Sequence, residues 1–104
     1  MSNLLCGNIG SGSIVSFKTG TVTTCTANTT VARTFTIDGL AVGDYVQVQK
    51  PTHQAGLGIV NSRVSAANTL EITYGNYTGS TIVPTDETCQ LIWIRSDSTK
   101  TAAN

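Results

Sequence analysis

The sequence predicts an all-β domain, a single antiparallel β-sandwich or barrel of six to eight short strands, jelly-roll-like in its wrapping. Three observations carry this. Threonine is the commonest residue among 104, and Val, Ile and Thr fill the periodic segments; β-branched side chains suit a pleated surface and lose freedom in a helix. Strand-like runs recur about every ten residues between Gly, Pro, Asn and Asp turn signals. No window of a dozen residues keeps the i, i+3, i+4, i+7 apolar spacing of an amphipathic helix.

The elements follow in order. Residues 1–13 hold Gly7, Gly10 and Gly12 around isolated Leu4, Leu5 and Ile9, which reads as an N-terminal arm. Residues 14–95 form the sandwich domain, with strands expected at Ile14–Phe17, Gly20–Cys25, Val31–Ile37, Tyr45–Gln49, Leu57–Val64, Leu70–Tyr74, Thr81–Val83 and Cys89–Arg95. Val31, Arg33, Phe35 and Ile37 share one face of their strand, and Leu70, Ile72 and Tyr74 share one face of theirs. Residues 96–104 are a polar tail. By composition alone such an arm and tail read as loose ends, and the alternative is that they lie on a partner that ties them down.

The run Gln90-Leu91-Ile92-Trp93-Ile94-Arg95 breaks the alternation, with Leu91 and Trp93 on one face and Ile92 and Ile94 on the other. A strand apolar on both faces calls for cover on both. The candidate interface is therefore Ile92, Trp93 and Ile94 together with Leu4, Leu5 and Ile9 of the arm, and Trp93 is its expected anchor.

Composition narrows the function. Six basic and six acidic residues give zero net charge at 12% charged residues, so no cationic field draws in nucleic acid or anionic membrane. No secretory leader and no run of about 20 apolar residues stands out. Cys6, Cys25 and Cys89 are odd in number and far apart, and read as buried apolar side chains of a chain made in a reducing cytoplasm.

Chemistry is hard to assemble. His53 stands alone in a loop, too few ligands for a metal or a triad. Gly56-Leu57-Gly58 lacks the third glycine, the Lys-Ser/Thr and the following helix of a phosphate loop, and reads as a bulge or close strand approach. Asp86-Glu87 reads as a solvated turn before the last strand. Asn28-Thr29-Thr30 and Asn76-Tyr77-Thr78 match the glycosylation sequon, without consequence unless the chain is exported. Tyr45, Tyr74, Tyr77 and Trp93 would make a sugar-stacking platform only if they converged. No catalytic residue, metal site or cofactor is expected, and the chain is not expected to be an enzyme.

Across residues 29–95, the segments Gly39-Leu40-Ala41-Val42-Gly43-Asp44-Tyr45-Val46-Gln47-Val48, Lys50 to Val60, Arg63 to Leu70 and Pro84-Thr85 resemble small β-rich virion proteins of tailed bacteriophages, of the capsid decoration (cement) and head-fibre kinds. The resemblance implies a jelly-roll-like sandwich without catalytic residues, located on the virion surface after synthesis in the host cytoplasm. It implies the major capsid protein as partner and a homo-oligomer, dimer or trimer, as the working form. A head-fibre base or tail-associated subunit is the alternative within that class. A carbohydrate-binding β module for host attachment is the alternative outside it.

Overall fold

The computed structural model describes residues 9–96. They form six strands and no helix: β1 (Ile9–Lys18), β2 (Thr29–Thr36), β3 (Tyr45–Gln49), β4 (Leu57–Ala66), β5 (Thr69–Asn76) and β6 (Thr88–Ser96). Two antiparallel three-stranded sheets result, with strand orders β1-β6-β3 and β2-β5-β4. The chain ends meet as β1 beside β6, β2 pairs with β5, and β4 and β5 form a hairpin within the second sheet. Strands β3 and β4 therefore face each other from opposite sheets, and the whole is a β-sandwich.

The core lies between the sheets. Leu91 from β6, Val46 from β3, Leu57 and Val64 from β4, and Leu70, Ile72 and Tyr74 from β5 are buried there. Each sits at an inward position of its strand, so period-2 patterning carries the packing. Phe17 of β1 and Phe35 of β2 meet across the seam between the sheets, their ring centroids 5.6 Å apart. Cys25 and Cys89 are free and buried, as expected for thiols serving as small apolar side chains; Cys6 lies outside the described residues.

Several expectations change. Strand β1 begins at Ile9, so residues 9–13 of the expected arm pair with β6. The arm residues Leu4 and Leu5 and tail residues 97–104 lie outside the described residues. The segments Gly20–Cys25 and Thr81–Val83 are not strands; they meet in one bridge, Cys25 to Ile82. The reason is spacing: Val22 and Cys25 are the buried residues of the first segment, three apart, and a strand repeats its inward positions every two.

Loops close both ends of the sandwich. Asn68, at φ 61°, turns β4 into β5, and its Oδ1 accepts the Gly39 N–H at 2.8 Å. Gly39 itself, at φ 100°, lies against Trp93, where a Cβ would come within 2.7 Å of the indole; no other residue fits that position. At the opposite end, buried Asn76 donates to the carbonyls of Cys25 and Ser80 and accepts from the N–H and hydroxyl of Thr78. That amide is fully used inside the fold, so the sequon at Asn76 offers no free side chain.

Candidate interaction surface

Strand β6 is the centre of its sheet, and its two faces differ. Leu91 and Cys89 point into the core, whereas Ile92 is 46% exposed on the outside. The strand register sets Ile14 of β1 and Gln47 of β3 on either side of Ile92, and Gly12 and Tyr45 on either side of Ile94. A band of Ile14, Ile92, Ile94 and Tyr45 therefore crosses the outer face of β1-β6-β3. Ile14 is 69% and Tyr45 58% exposed. A shallow groove of about 520 Å³ runs along it between Ile14, Ile92, Gln47, Gln49 and Gln90. From Gly12 to Lys18 on β1, and across β3 and Gln90–Ile94 of β6, the outward positions carry one charge, Lys18.

The expected cover on both faces of β6 is thus absent among the described residues: one face is core and the other is open. Ile92 and Ile94 share one face, as alternation requires, and the fold makes it the outward one. Trp93 does not join them. Its alternate parity turns it to the inner side, where it packs against the core and its Nε1–H donates to Asp44 Oδ2 at 2.9 Å. Ile9 enters only as the first residue of β1, opposite Ser96. Ile14 and Tyr45 are additions, and their signal lay in parity: each alternates with inward neighbours, Val15 and Val46.

Trp93 belongs to a polar clasp rather than an interface. Arg95 donates to both carboxylate oxygens of Asp44, through Nε to Oδ1 at 2.9 Å and Nη2 to Oδ2 at 2.6 Å, and lies over the Trp93 ring at 5.6 Å. The Ala41 N–H also donates to Asp44. The Arg95 hydrogen bonds, with lesser help from Ala41 and Trp93 and against the cost of burial, hold the Asp44 carboxyl down to about 2. The clasp ties the β2–β3 loop to the end of β6.

The remaining candidate chemistry disperses. His53 is an exposed loop residue. Asp86 is exposed, but Glu87 is not the solvated residue expected of that turn: its Oε2 lies 3.1 Å from Lys50 Nζ, both side chains about nine-tenths buried. Burial pushes the Glu87 carboxyl up, and hydrogen bonds from Thr52 and Lys50 outweigh it and hold it below its ordinary value. Gly56, at φ 81°, ends the tight turn from Gln54 to Leu57, with Thr78 against it. The four aromatic residues do not share a face: Tyr74 is core, Trp93 faces inward, Tyr45 lies outside one sheet, and Tyr77 follows β5 of the other. Among the described residues no three His, Cys, Asp or Glu side chains are grouped to hold a metal.

No protein-family model matches the chain, and no curated protein or solved structure is significantly similar to it. The geometry of the outer face of β1-β6-β3 is therefore the ground on which function is argued.

Proposed function

We propose that this chain is a structural virion protein, a capsid decoration subunit that binds the assembled head of a tailed phage and stabilises it. The observation that carries the reading is the outer face of β1-β6-β3: exposed Ile14, Ile92 and Tyr45 among glutamines, with almost no charge. An apolar patch rimmed by neutral polar groups loses little on desolvation and favours contact with another protein surface. The likeness of residues 29–95 to small virion proteins supplies the class of partner, the major capsid protein. Many copies on one particle turn a modest contact into strong cross-bracing.

The test uses heads assembled without this chain. Added protein is expected to bind them to a fixed stoichiometry and to raise their resistance to heat and osmotic shock. Heads that neither bind it nor gain resistance overturn the reading.

A further inference from the structure

We propose that two copies of this chain pair edge to edge through β1, in antiparallel register about Ile14, joining two sheets into one of six strands. The inference goes beyond the capsid reading and does not depend on it.

A sandwich of two open sheets has four strand edges, and an unprotected edge is a template for another strand. Three of the four are guarded here. Strand β2 turns Arg33 inward at its middle, between Val31 and Phe35, half-buried and with its Nε unpartnered. Strand β4 is interrupted by register irregularities at Ile59/Asn61 and Val64/Ala66. Strand β3 is only five residues long, and Ser62 of β4 donates its hydroxyl to the Val46 carbonyl across the gap.

Strand β1 is the least guarded: its one register irregularity lies at its start, between Ile9 and Ser11, and from Ser11 to Lys18 it runs regularly beside β6. It runs ten residues, IGSGSIVSFK, with no proline and no charge before Lys18, and among the described residues it pairs with β6 alone. Its partner is argued from self-complementarity. In an antiparallel pair centred on Ile14, residue 14 meets its own copy, Ser13 meets Val15 and Gly12 meets Ser16. Lys18 then falls opposite Gly10, so no like charges meet. Inward residues meet inward ones and outward ones meet outward ones, as the pleat requires. The outer faces merge, and the row Ile92–Ile14 continues into Ile14–Ile92 of the second copy. Moving the centre to residue 13 or 15 sets Ile14 against Gly12 or Ser16 and breaks that row.

The interface is small. Nine residues at about 3.4 Å each, by a sheet about 10 Å deep, cover roughly 300 Å² per copy. That is below the roughly 800 Å² per partner of a standard interface, so the pair is a concentration-dependent dimer, with the merged outer face left free.

Cysteine cross-linking of the full chain tests this. In Ile14→Cys the two thiols stand directly opposite each other, with Cβ atoms roughly 4.5–5.5 Å apart, within about an ångström of disulfide geometry. Thr34→Cys, exposed on the guarded edge β2, is the control. Ile14→Cys is expected to form a covalent dimer under mild oxidation at least tenfold faster than Thr34→Cys. Sedimentation of the unmodified chain should move from monomer to dimer mass with concentration, and Ile14→Lys should hold it at monomer while an equal mixture of Ile14→Lys and Ile14→Glu pairs again. A monomer at every concentration up to about 1 mM, or equal cross-linking at residues 14 and 34, overturns the proposal. So does a dimer that Ile14→Lys leaves intact. Each arm is read without capsids, so failure here leaves the decoration reading standing, and the reverse holds too.

Discussion

Asp44 and Asn76 show how much a single polar side chain fixes in this small domain. Asp44 gathers Arg95, Trp93 and the Ala41 N–H onto one carboxylate, and its pKa of about 2 lies below its ordinary value of 3.8. A carboxyl depressed in the folded state contributes stability that is fully present above the unfolded value, about pH 4, and is lost as pH falls toward 2. Asp44→Asn is expected to cost about 1–2 kcal/mol at neutral pH and to flatten the loss of stability between pH 4 and pH 2, as read by urea unfolding across that range. Asn76→Asp replaces an amide that donates to two carbonyls with a carboxylate that repels them. It is expected to cost about 3 kcal/mol or more, a drop in melting temperature large enough to measure by circular dichroism. Neither clasp was legible in the sequence. Asp44 and Arg95 lie far apart in the chain, and the sequon at Asn76 says nothing of its burial, because only the packed strands bring their partners together.

Among the elements, β6 carries the most information. Alternation alone separated its two faces, Leu91 and Trp93 on one and Ile92 and Ile94 on the other; only the fold made the first inward and the second outward. What alternation could not tell was that the outward face stays open, since cover depends on the chain's return path. It also could not make Trp93 an inward residue in the service of Asp44, although parity with Leu91 already set its side. The contrast gives a measurement on neighbouring residues of one strand. Leu91→Ala, in the core at 0% exposure, is expected to cost about 2–5 kcal/mol in denaturant unfolding, while Ile92→Ala is expected to cost less than about 1 kcal/mol. Equal costs would mean that the outer face is covered. The short segments around Cys25 and Ile82 were less legible. They carry strand-forming residues in a spacing that buries two of them without repeating every second position, and the outcome is a single bridge.

For the whole molecule, the two sheets place the longest apolar rows in the core or on the outside of β1-β6-β3. The outside of the other sheet presents mainly Thr30, Thr34, Thr36 and Thr73, with Arg63 paired to Glu71 at 2.9 Å and one apolar pair, Val60 and Tyr77, over Gly75. One face is thus suited to solvent and one to a partner. The class of fold was legible because period-2 patterning and turn spacing are local properties; the choice of face was not, because it depends on which strands become neighbours. The proposed decoration role rests on that asymmetry. The measurement that tests it most directly is a binding titration of heads lacking this chain, comparing the unmodified protein with Ile92→Lys and with Thr73→Lys on the opposite face, all three checked for equal stability. Saturation by the unmodified protein and by Thr73→Lys, with at least a tenfold loss of affinity for Ile92→Lys, is the expected result. Equal binding by all three variants, or loss only with Thr73→Lys, would contradict it.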